Sequence, residues 1–148
     1  VIGKQGGSVL VTLVERKTRF SVIGKATNRT AQEVTSVILE RLRPLAPQVQ
    51  TLTYDNGKEF AQHQEISKEL DACGYFAHPY HSWERGLNEN TNGLIRQFFP
   101  KGMDLAEVTN AEVQKVMDKL NNRPRKCLGF KTPNQVLFGI NPPVALAT

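Results

Sequence analysis

Two acidic residues, Asp55 and Glu89, have a spacing and surroundings that suit catalytic carboxylates. Asp55 directly follows a short apolar segment, Val49 to Tyr54, that is typical of a strand, and Glu89 lies in a helix-forming stretch. Ligands of open α/β sheets bind beyond the carboxyl ends of parallel strands, and Mg²⁺ prefers carboxylate oxygens together with substrate phosphates. Converging carboxylates therefore predict metal-assisted phosphoryl transfer, in which paired ions clamp the attacking and leaving oxygens. Because Asp-Asn-Gly is also a favoured turn sequence, a purely structural Asp55 is the alternative.

The stretch from His78 to Gly102 must position Glu89. On a helix that turns about 100° per residue, its apolar residues gather on one arc and Glu89 falls on the opposite face. The apolar arc holds Leu87, Leu94, Ile95 and Phe98, and the polar face holds Glu89, Asn92, Gly93 and Arg96. A solvated face is the ordinary interpretation of a lone glutamate. The neighbouring asparagines, which are poor helix formers, favour a functional face, because local rules tend to break at functional sites.

The charge distribution points to a polyanionic partner. The 148 residues carry a net charge of +5, with a pI near 9.4. No acid follows Asp118, whereas five basic residues do: Lys119, Arg123, Arg125, Lys126 and Lys131. Nucleic acid is therefore the leading class of partner, and an ordinary solvated surface is the alternative.

Several other classes of protein are disfavoured. Cys73 and Cys127 are the only cysteines, which argues against a disulfide framework. A zinc site from Cys73, His78 and His81 would need a fourth ligand, and we expect Cys73 to face inward on its helix. No apolar run approaches the ~20 residues that cross a bilayer, and there is no secretory leader or glycine-rich nucleotide loop. We expect a cytoplasmic protein without a membrane partner.

Local signals predict alternating strands and helices. Ser8 to Glu15 and Phe20 to Ala26 are β-rich and predict a hairpin. Val1 to Lys4 would be the remnant of a preceding strand. Capping boxes predict helices that begin after Thr30, Thr109 and Thr132.

A further helix is expected within Ala61 to Cys73, with Cys73 buried and Gly74 as its C-cap. Tyr75 to Ala77 would then form a short strand. This order favours one α/β domain with a mixed central sheet and helices on both faces.

These residues give the chain a close resemblance to a known family. Asp55 in TYDNGKEF and Glu89 in PYHSWERGLNENTNGLIRQFFPKG are 34 positions apart. They resemble the second and third acids of the DDE triad of retroviral-integrase-type transposases, in particular the bacterial insertion-sequence-thirty family. The similarity covers essentially the whole chain and ends in NNRPRKCLGFKTPNQVLFG, Asn121 to Gly139. The Asn-Glu-Asn-Thr-Asn-Gly block around Glu89 is its most specific part.

The resemblance implies a ribonuclease-H-like integrase core in which Asp55 and Glu89 hold two Mg²⁺ or Mn²⁺ ions. It also implies DNA as the partner, with cleavage at the element ends and attack of the freed 3′-hydroxyl on target DNA. Such transposases act as homo-oligomers at the nucleoid of the bacterial cytoplasm.

One departure from the family pattern concerns the first acid. The family carries an aspartate on its first strand, yet no aspartate precedes Asp55. We therefore expect residues 1–148 to be a catalytic core that is truncated within the first strand, with the first acid upstream of Val1. Because the metal cage would lack one member, we predict little or no catalysis by this fragment. The domain that recognises the element ends is also expected elsewhere.

Six residues are candidate DNA contacts: Asn56, Trp83, Arg85, Asn92, Arg96 and Lys101. Asn56 could keep the backbone at Asp55 tight, although an ordinary turn explains it equally well. Trp83 could stack on a base, while packing beneath a loop is the commoner fate of such an aromatic residue. The remaining four lie on or beside the helix that carries Glu89.

Two hypotheses of different class follow. The first is a DNA transposase catalytic core that works through Asp55, Glu89 and an aspartate outside this chain. The second is a non-catalytic DNA-binding or assembly module in which the same fold survives but its acids bind no metal. A nuclease of the ribonuclease H type is a weaker third, because it gives no reason for the asparagine-rich block.

Overall fold

The computed structural model describes residues 1–4, 6–77 and 86–139. Its strands are β1 (Val9–Val14), β2 (Ser21–Ala26), β3 (Thr51–Tyr54) and β4 (Cys73–Phe76). Its α-helices are α1 (Ala31–Leu42), α2 (His63–Leu70), α3 (Gly86–Arg96), α4 (Asn110–Asn121) and α5 (Pro133–Phe138). Short 3₁₀ helices cover Arg43–Gln48, Lys58–Phe60, Leu105–Glu107 and Lys126–Leu128. Within these ranges, no helix combines the length and apolarity that a bilayer crossing requires.

The predicted hairpin is confirmed. β1 and β2 pair antiparallel, from Val9 opposite Ala26 to Val14 opposite Ser21. On the other edge of β1, Ile2 forms an isolated antiparallel bridge to Leu10. Its two backbone hydrogen bonds measure 2.8 and 2.7 Å, so the predicted strand before the hairpin is present as this single bridge.

The second pair of strands is parallel. β3 and β4 run side by side from Thr51 opposite Cys73 to Tyr54 opposite Phe76. The sequence predicts one mixed sheet, whereas the backbone hydrogen bonds of the described residues form two separate two-stranded ladders. The parallel and antiparallel pairings are thus both present, but no described strand joins β1 to β3.

Helices cover both faces of the hairpin, as predicted. Because side chains alternate along a strand, Val9 and Val11 pack into one buried cluster with α1, while Leu10 packs into another. The second cluster takes its helical members from α3 and α4, including Ile95 and Leu120. Each buried aliphatic side chain of this kind contributes about 1.5–3 kcal/mol. The hairpin is therefore the central layer of the core.

The three predicted helix starts are confirmed by their caps. The hydroxyls of Thr30, Thr109 and Thr132 each accept a hydrogen bond from the backbone N–H three residues later. At Thr132 the box is complete, because its own N–H donates to Gln135 Oε1 at 2.7 Å. These bonds satisfy backbone donors that the first turn of a helix leaves without partners.

The prediction for the end of α2 is wrong. The helix stops at Leu70, and Asp71 adopts a left-handed conformation with φ of 50°. Cys73 is exposed at the start of β4 instead of buried on a helix, and Gly74 lies within β4. Asp71 tolerates this conformation better than most residues, and the reversal lets Cys73 pair with Thr51.

A side-chain amide closes the outer edge of β2. Asn121, the last residue of α4, is 2% exposed. Its Oδ1 accepts from the Ser21 N–H and its Nδ2 donates to the Ser21 carbonyl, both at 2.8 Å. The amide thus forms the pair of bonds that a neighbouring strand would offer, and it fixes the end of α4 against the hairpin.

Candidate active site

Asp55 lies where the sequence predicts, directly after β3 at the carboxyl end of a parallel strand. It is half-buried. Its Oδ1 accepts a hydrogen bond from the Gly57 N–H at 2.8 Å, which is the side-chain turn that aspartate favours. The turn and the strand-end position are therefore both real, and the turn orients the carboxylate.

Gly57 is closely packed against two carboxylates. A Cβ at this position would lie 2.5 Å from Glu59 Oε2 and 2.8 Å from Asp55 Oδ1. Two carboxylates consequently border the same glycine. The backbone of Gly57 has an ordinary φ of −69°, so a side chain here would be opposed by the space available and not by the backbone conformation.

Glu59 is a buried acid that the sequence analysis does not single out. It is 7% exposed, and its Oε1 lies 3.1 Å from Nη2 of Arg29, which is 38% exposed. A buried carboxylate needs such a partner, because removing a charge from water is costly. The pair joins the loop that follows β3 to Arg29, which directly precedes Thr30, the N-cap of α1. Its only sequence signal is the position of Glu59 in DNGKEF.

Asn56 braces the two parallel strands. Its Nδ2 donates to the Ala77 carbonyl at 3.0 Å, so the chain ends that leave β3 and β4 are joined. This is a structural role that the sequence does not reveal. The prediction that Asn56 contacts DNA stays a prediction.

Tyr54 anchors the strand that carries Asp55. Its ring packs against Phe60, His63 and Phe76, with centroid distances of 5.3, 6.3 and 5.6 Å. Burial raises the pKa of the Tyr54 phenol to about 12. In the described part of the chain its hydroxyl has no hydrogen-bond partner, so the residue acts through its ring.

Glu89 is exposed in the first turn of α3, which is the solvent-facing position that the helical spacing predicts. The buried residues of this helix are Thr91 and Ile95, and Thr91 is absent from the predicted apolar arc. The first turn of a helix also favours a negative charge. The fold therefore presents the Glu89 carboxylate to solvent.

Asn92 lies closer to the core than the helical spacing predicts. Its Oδ1 accepts a hydrogen bond from Thr12 Oγ1 at 2.8 Å. Thr12 is 8% exposed on β1, in the otherwise apolar segment VLVTLV. That lone hydroxyl is the sequence signal that could have pointed to this contact. The bond fixes α3, one turn after Glu89, against the hairpin.

The remaining predicted contacts are surface cations or lie outside the described residues. Arg96 is half-buried at the end of α3, and Lys101 is exposed in the turn that follows. The ion pairs found among the described residues, Arg29–Glu59 and Arg43–Glu69, involve neither of them. Trp83 and Arg85 belong to residues 78–85, outside the described ranges, as do His78 and His81 of the zinc alternative.

The described carboxylates suit a hard cation but do not form a closed cage. Within residues 1–4, 6–77 and 86–139, no group of three or more His, Cys, Asp or Glu side chains could hold a metal ion. Asp55 and Glu89 nevertheless supply the oxygen donors that Mg²⁺ prefers, and Mg²⁺ often takes only one or two carboxylates beside substrate phosphates. The prediction that Asp55 and Glu89 bind metal together stays a prediction.

Comparisons with known proteins identify relatives of this chain. A family model described as "Integrase core domain" matches residues 1–82. The chain is 49% identical over 135 residues to the transposase for insertion sequence element IS4351 of Bacteroides fragilis, which covers 91% of the chain and 41% of that relative. It is 41% identical over 131 residues to transposase InsI for element IS30A of Escherichia coli K12, covering 88% and 34%. The chain thus spans less than half the length of these relatives.

The fold also matches a solved structure. The HTLV-2 integrase catalytic core domain, solved in complex with magnesium, superposes with a TM-score of 0.67 at 21% identity, covering 87% of this chain and 84% of that one. At this identity the match shows the fold. It confirms the predicted integrase-core architecture, in which strands and helices alternate around the hairpin.

Proposed function

Because the chain belongs to the integrase core domain family and its relatives are insertion-sequence transposases of the IS30 type, we propose that it is a DNA transposase catalytic core. In this proposal it cleaves DNA at the element ends and transfers the freed strands by phosphoryl transfer. The observation that carries the proposal is Asp55 at the carboxyl end of β3, oriented by the Gly57 N–H at 2.8 Å. An exposed Glu89 on α3 provides the second carboxylate.

The two carboxylates have defined tasks in this proposal. Asp55 and Glu89 would hold two Mg²⁺ or Mn²⁺ ions, which supply Lewis-acid stabilisation of the attacking and leaving oxygens. Gly57 and Glu59 set the position of the Asp55 loop, and Thr12 sets that of α3 through Asn92. The support for magnesium is that carboxylate oxygens are its preferred donors and that the HTLV-2 integrase core was solved with it.

The first acid of the cage is proposed to lie upstream of Val1. Its support is the edge of β1 opposite β2, where Ile2 forms an antiparallel bridge to Leu10. A longer strand would continue this bridge along β1. The 148 residues as they stand would then be a truncated core with little or no activity.

The partners follow from charge and from the relatives. We propose DNA, both element ends and target, contacted by Asn56, Trp83, Arg85, Asn92, Arg96 and Lys101. The net charge of +5 favours such a partner. The active complex would be a homo-oligomer at the nucleoid of the bacterial cytoplasm.

Metal binding gives a direct test. Calorimetric titration of this chain with Mn²⁺ should show binding that is lost in Asp55→Asn and in Glu89→Gln. Glu107→Gln, an exposed acid distant in sequence from both, is the matched control and should bind as the parent does. Equal heats from all four proteins would contradict the proposal.

Catalysis tests the truncation separately. A divalent-metal-dependent DNA nicking assay should show cleavage by a version extended upstream of Val1 and little by the 148-residue chain. Robust nicking by the 148-residue chain would overturn the proposed missing acid.

The second candidate is a non-catalytic DNA-binding or assembly module. The observation in its favour is that no group of three metal-binding side chains forms within the described ranges. In that case the extended version would bind DNA but neither titrate with Mn²⁺ nor nick.

A further inference from the structure

One strongly exposed aromatic side chain lies in the part of the chain that carries the basic residues. Phe130 is 70% exposed, and it follows the 3₁₀ helix Lys126–Leu128. We call the segment from Arg125 to Lys131 the Phe130 loop. Nothing in the candidate active site uses it.

The Phe130 loop is closed and strained. Backbone bonds run from the Arg125 N–H to the Lys131 carbonyl at 2.9 Å and from the Phe130 N–H to the Arg125 carbonyl at 2.8 Å. At its tip, Gly129 and Phe130 both have positive φ, 63° and 66°. Two consecutive residues with positive φ are the mark of a type I′ turn, in which Gly and Asn are preferred. A bulky residue in this conformation is a genuine outlier.

The fold therefore holds a phenyl ring outward in a backbone conformation that a smaller residue would adopt more easily. Strain of this kind clusters at functional sites, where the surrounding structure fixes it. Burial of the ring does not explain the choice of residue, since most of the ring faces solvent. Contact with an external partner would explain why a phenylalanine occupies this position.

The surroundings of the ring are strongly positive. Lys126 and Lys131 are exposed within the loop, and no acidic residue follows Asp118 in the sequence. The exposed lysines are therefore placed for a polyanion.

Arg125, at the start of the loop, also lies among positive charges. Its Nη2 donates to the Leu120 carbonyl at 3.2 Å, so the half-buried guanidinium closes the end of α4. Burial lowers its pKa, and the positive charges of Arg123 and Arg19 lower it further. Arg123 and Arg19 thus lie close enough to Arg125 for their charges to act on it.

We propose that the Phe130 loop is a DNA contact in which Phe130 stacks on an unpaired or unstacked base while Lys126 and Lys131 bind the flanking phosphates. An aromatic ring flanked by lysines suits a nucleic acid, because the ring can stack on the face of any base and the lysines can bind the negatively charged phosphates. The exposed apolar side chains that follow it, Val136 at 38% and Phe138 at 42%, are less exposed than Phe130. Lys126 and Lys131 border the ring in sequence, whereas the core of a protein interface is depleted of charge. The inference rests on the proposed function for its choice of DNA, and it adds a contact surface separate from Asp55 and Glu89.

Substitution of Phe130 separates binding from folding. Phe130→Asn places a residue that the turn prefers, so the thermal midpoint should rise, while affinity for DNA should fall by about tenfold or more. Phe130→Trp keeps the stacking surface and should retain affinity. A structural role for the ring predicts the reverse pattern, with lower stability and unchanged affinity.

The probe is a fluorescein-labelled DNA duplex that carries one unpaired 2-aminopurine, with the fully paired duplex as its comparison. Binding is followed by anisotropy in EDTA, so that metal chemistry plays no part. The parent chain should bind the unpaired probe more tightly and quench the 2-aminopurine, and Phe130→Asn should lose both effects. Equal binding by Phe130→Asn overturns the inference and leaves the proposed function standing.

The lysines are tested by salt dependence. Lys126→Gln and Lys131→Gln should each reduce the slope of log affinity against log salt by about one. Lys68→Gln, an exposed lysine on α2, is the matched control and should leave the slope unchanged. Absence of binding by the parent chain, or self-association through Phe130 seen by ultracentrifugation, would also overturn the loop contact. The Mn²⁺ titration then judges the proposed function independently.

Discussion

The β1–β2 hairpin and the β3–β4 ladder are both pairs of short strands, but they lie in opposite environments. The first four residues of β1 are all buried, with Val9 and Leu10 at 0% exposure. All four residues of β4 are exposed, and Tyr75 reaches 56%. The hairpin is covered by helices on both faces, whereas the parallel ladder joins the core mainly through Tyr54 and Leu52 of β3.

This difference separates the two candidate carboxylates. Asp55 extends from the exposed ladder, while the helix that carries Glu89 is fixed to the buried hairpin by Thr12 and Asn92. The two regions are joined by the core cluster, which includes Tyr54 and Leu52 of β3, and by the Arg29–Glu59 pair. Stability is concentrated in one region, and the proposed chemistry lies at the boundary between the two.

Truncation of a core residue should show the largest effect. Ile23→Ala, at a fully buried position of β2, should lower the free energy of unfolding by about 2–5 kcal/mol through lost burial and a residual cavity. Leu52→Ala on β3, where the side chain is only partly buried, should cost about 1 kcal/mol. Urea denaturation of both variants measures the difference. Equal losses would show that the two ladders contribute alike.

A side chain at the boundary should have an intermediate effect. Gly57→Ala forces a Cβ against the carboxylates of Glu59 and Asp55, and overpacking of this kind costs about 1–3 kcal/mol. The control is Gly93→Ala on α3, where a Cβ meets nothing within 4 Å. The alanine should raise the free energy of unfolding by about 0.5–1 kcal/mol. Thermal unfolding of the pair should thus give shifts of opposite sign. A neutral Gly57→Ala would mean that the Asp55 loop is free to adjust.

The smallest effect is expected at Tyr54. Because its hydroxyl has no partner in the described residues, Tyr54→Phe should change stability at neutral pH by less than about 1 kcal/mol. Burial raises the folded pKa to about 12 from an ordinary 10.0. The unfolded chain therefore loses this proton first, and stability should fall as pH rises from about 10 to about 12.

Denaturation curves across that pH range measure the effect. Tyr54→Phe should remove part of the alkaline loss of stability, and Tyr75→Phe, at an exposed residue, is the control that should not. An identical alkaline loss in the Tyr54→Phe protein would contradict the link between burial and titration.

Local chemistry explains what the sequence could predict. The caps at Thr30, Thr109 and Thr132 depend on residues three positions apart, and the hairpin on adjacent β-rich segments, so each was readable from the chain alone. The strand-end position of Asp55 and the exposure of Glu89 follow from the same short-range patterns.

The features that the sequence did not predict are set by contacts between distant residues. Thr12 and Asn92 are 80 positions apart, and Arg29 and Glu59 are 30 apart, so neither pairing leaves a local pattern. At Cys73 the helical spacing was misleading, because pairing with Thr51 outweighs continuation of α2. The split into two ladders has the same origin, since strand pairing is decided by the tertiary arrangement.

The amide of Asn121 bears on self-association of the protein through the edge of β2. An unpaired strand edge offers N–H and carbonyl groups to any extended peptide, which invites aggregation. At Ser21 both groups are already bonded, each at 2.8 Å. The side chain of Asn121 therefore occupies the backbone groups through which another extended strand could pair with β2 at Ser21.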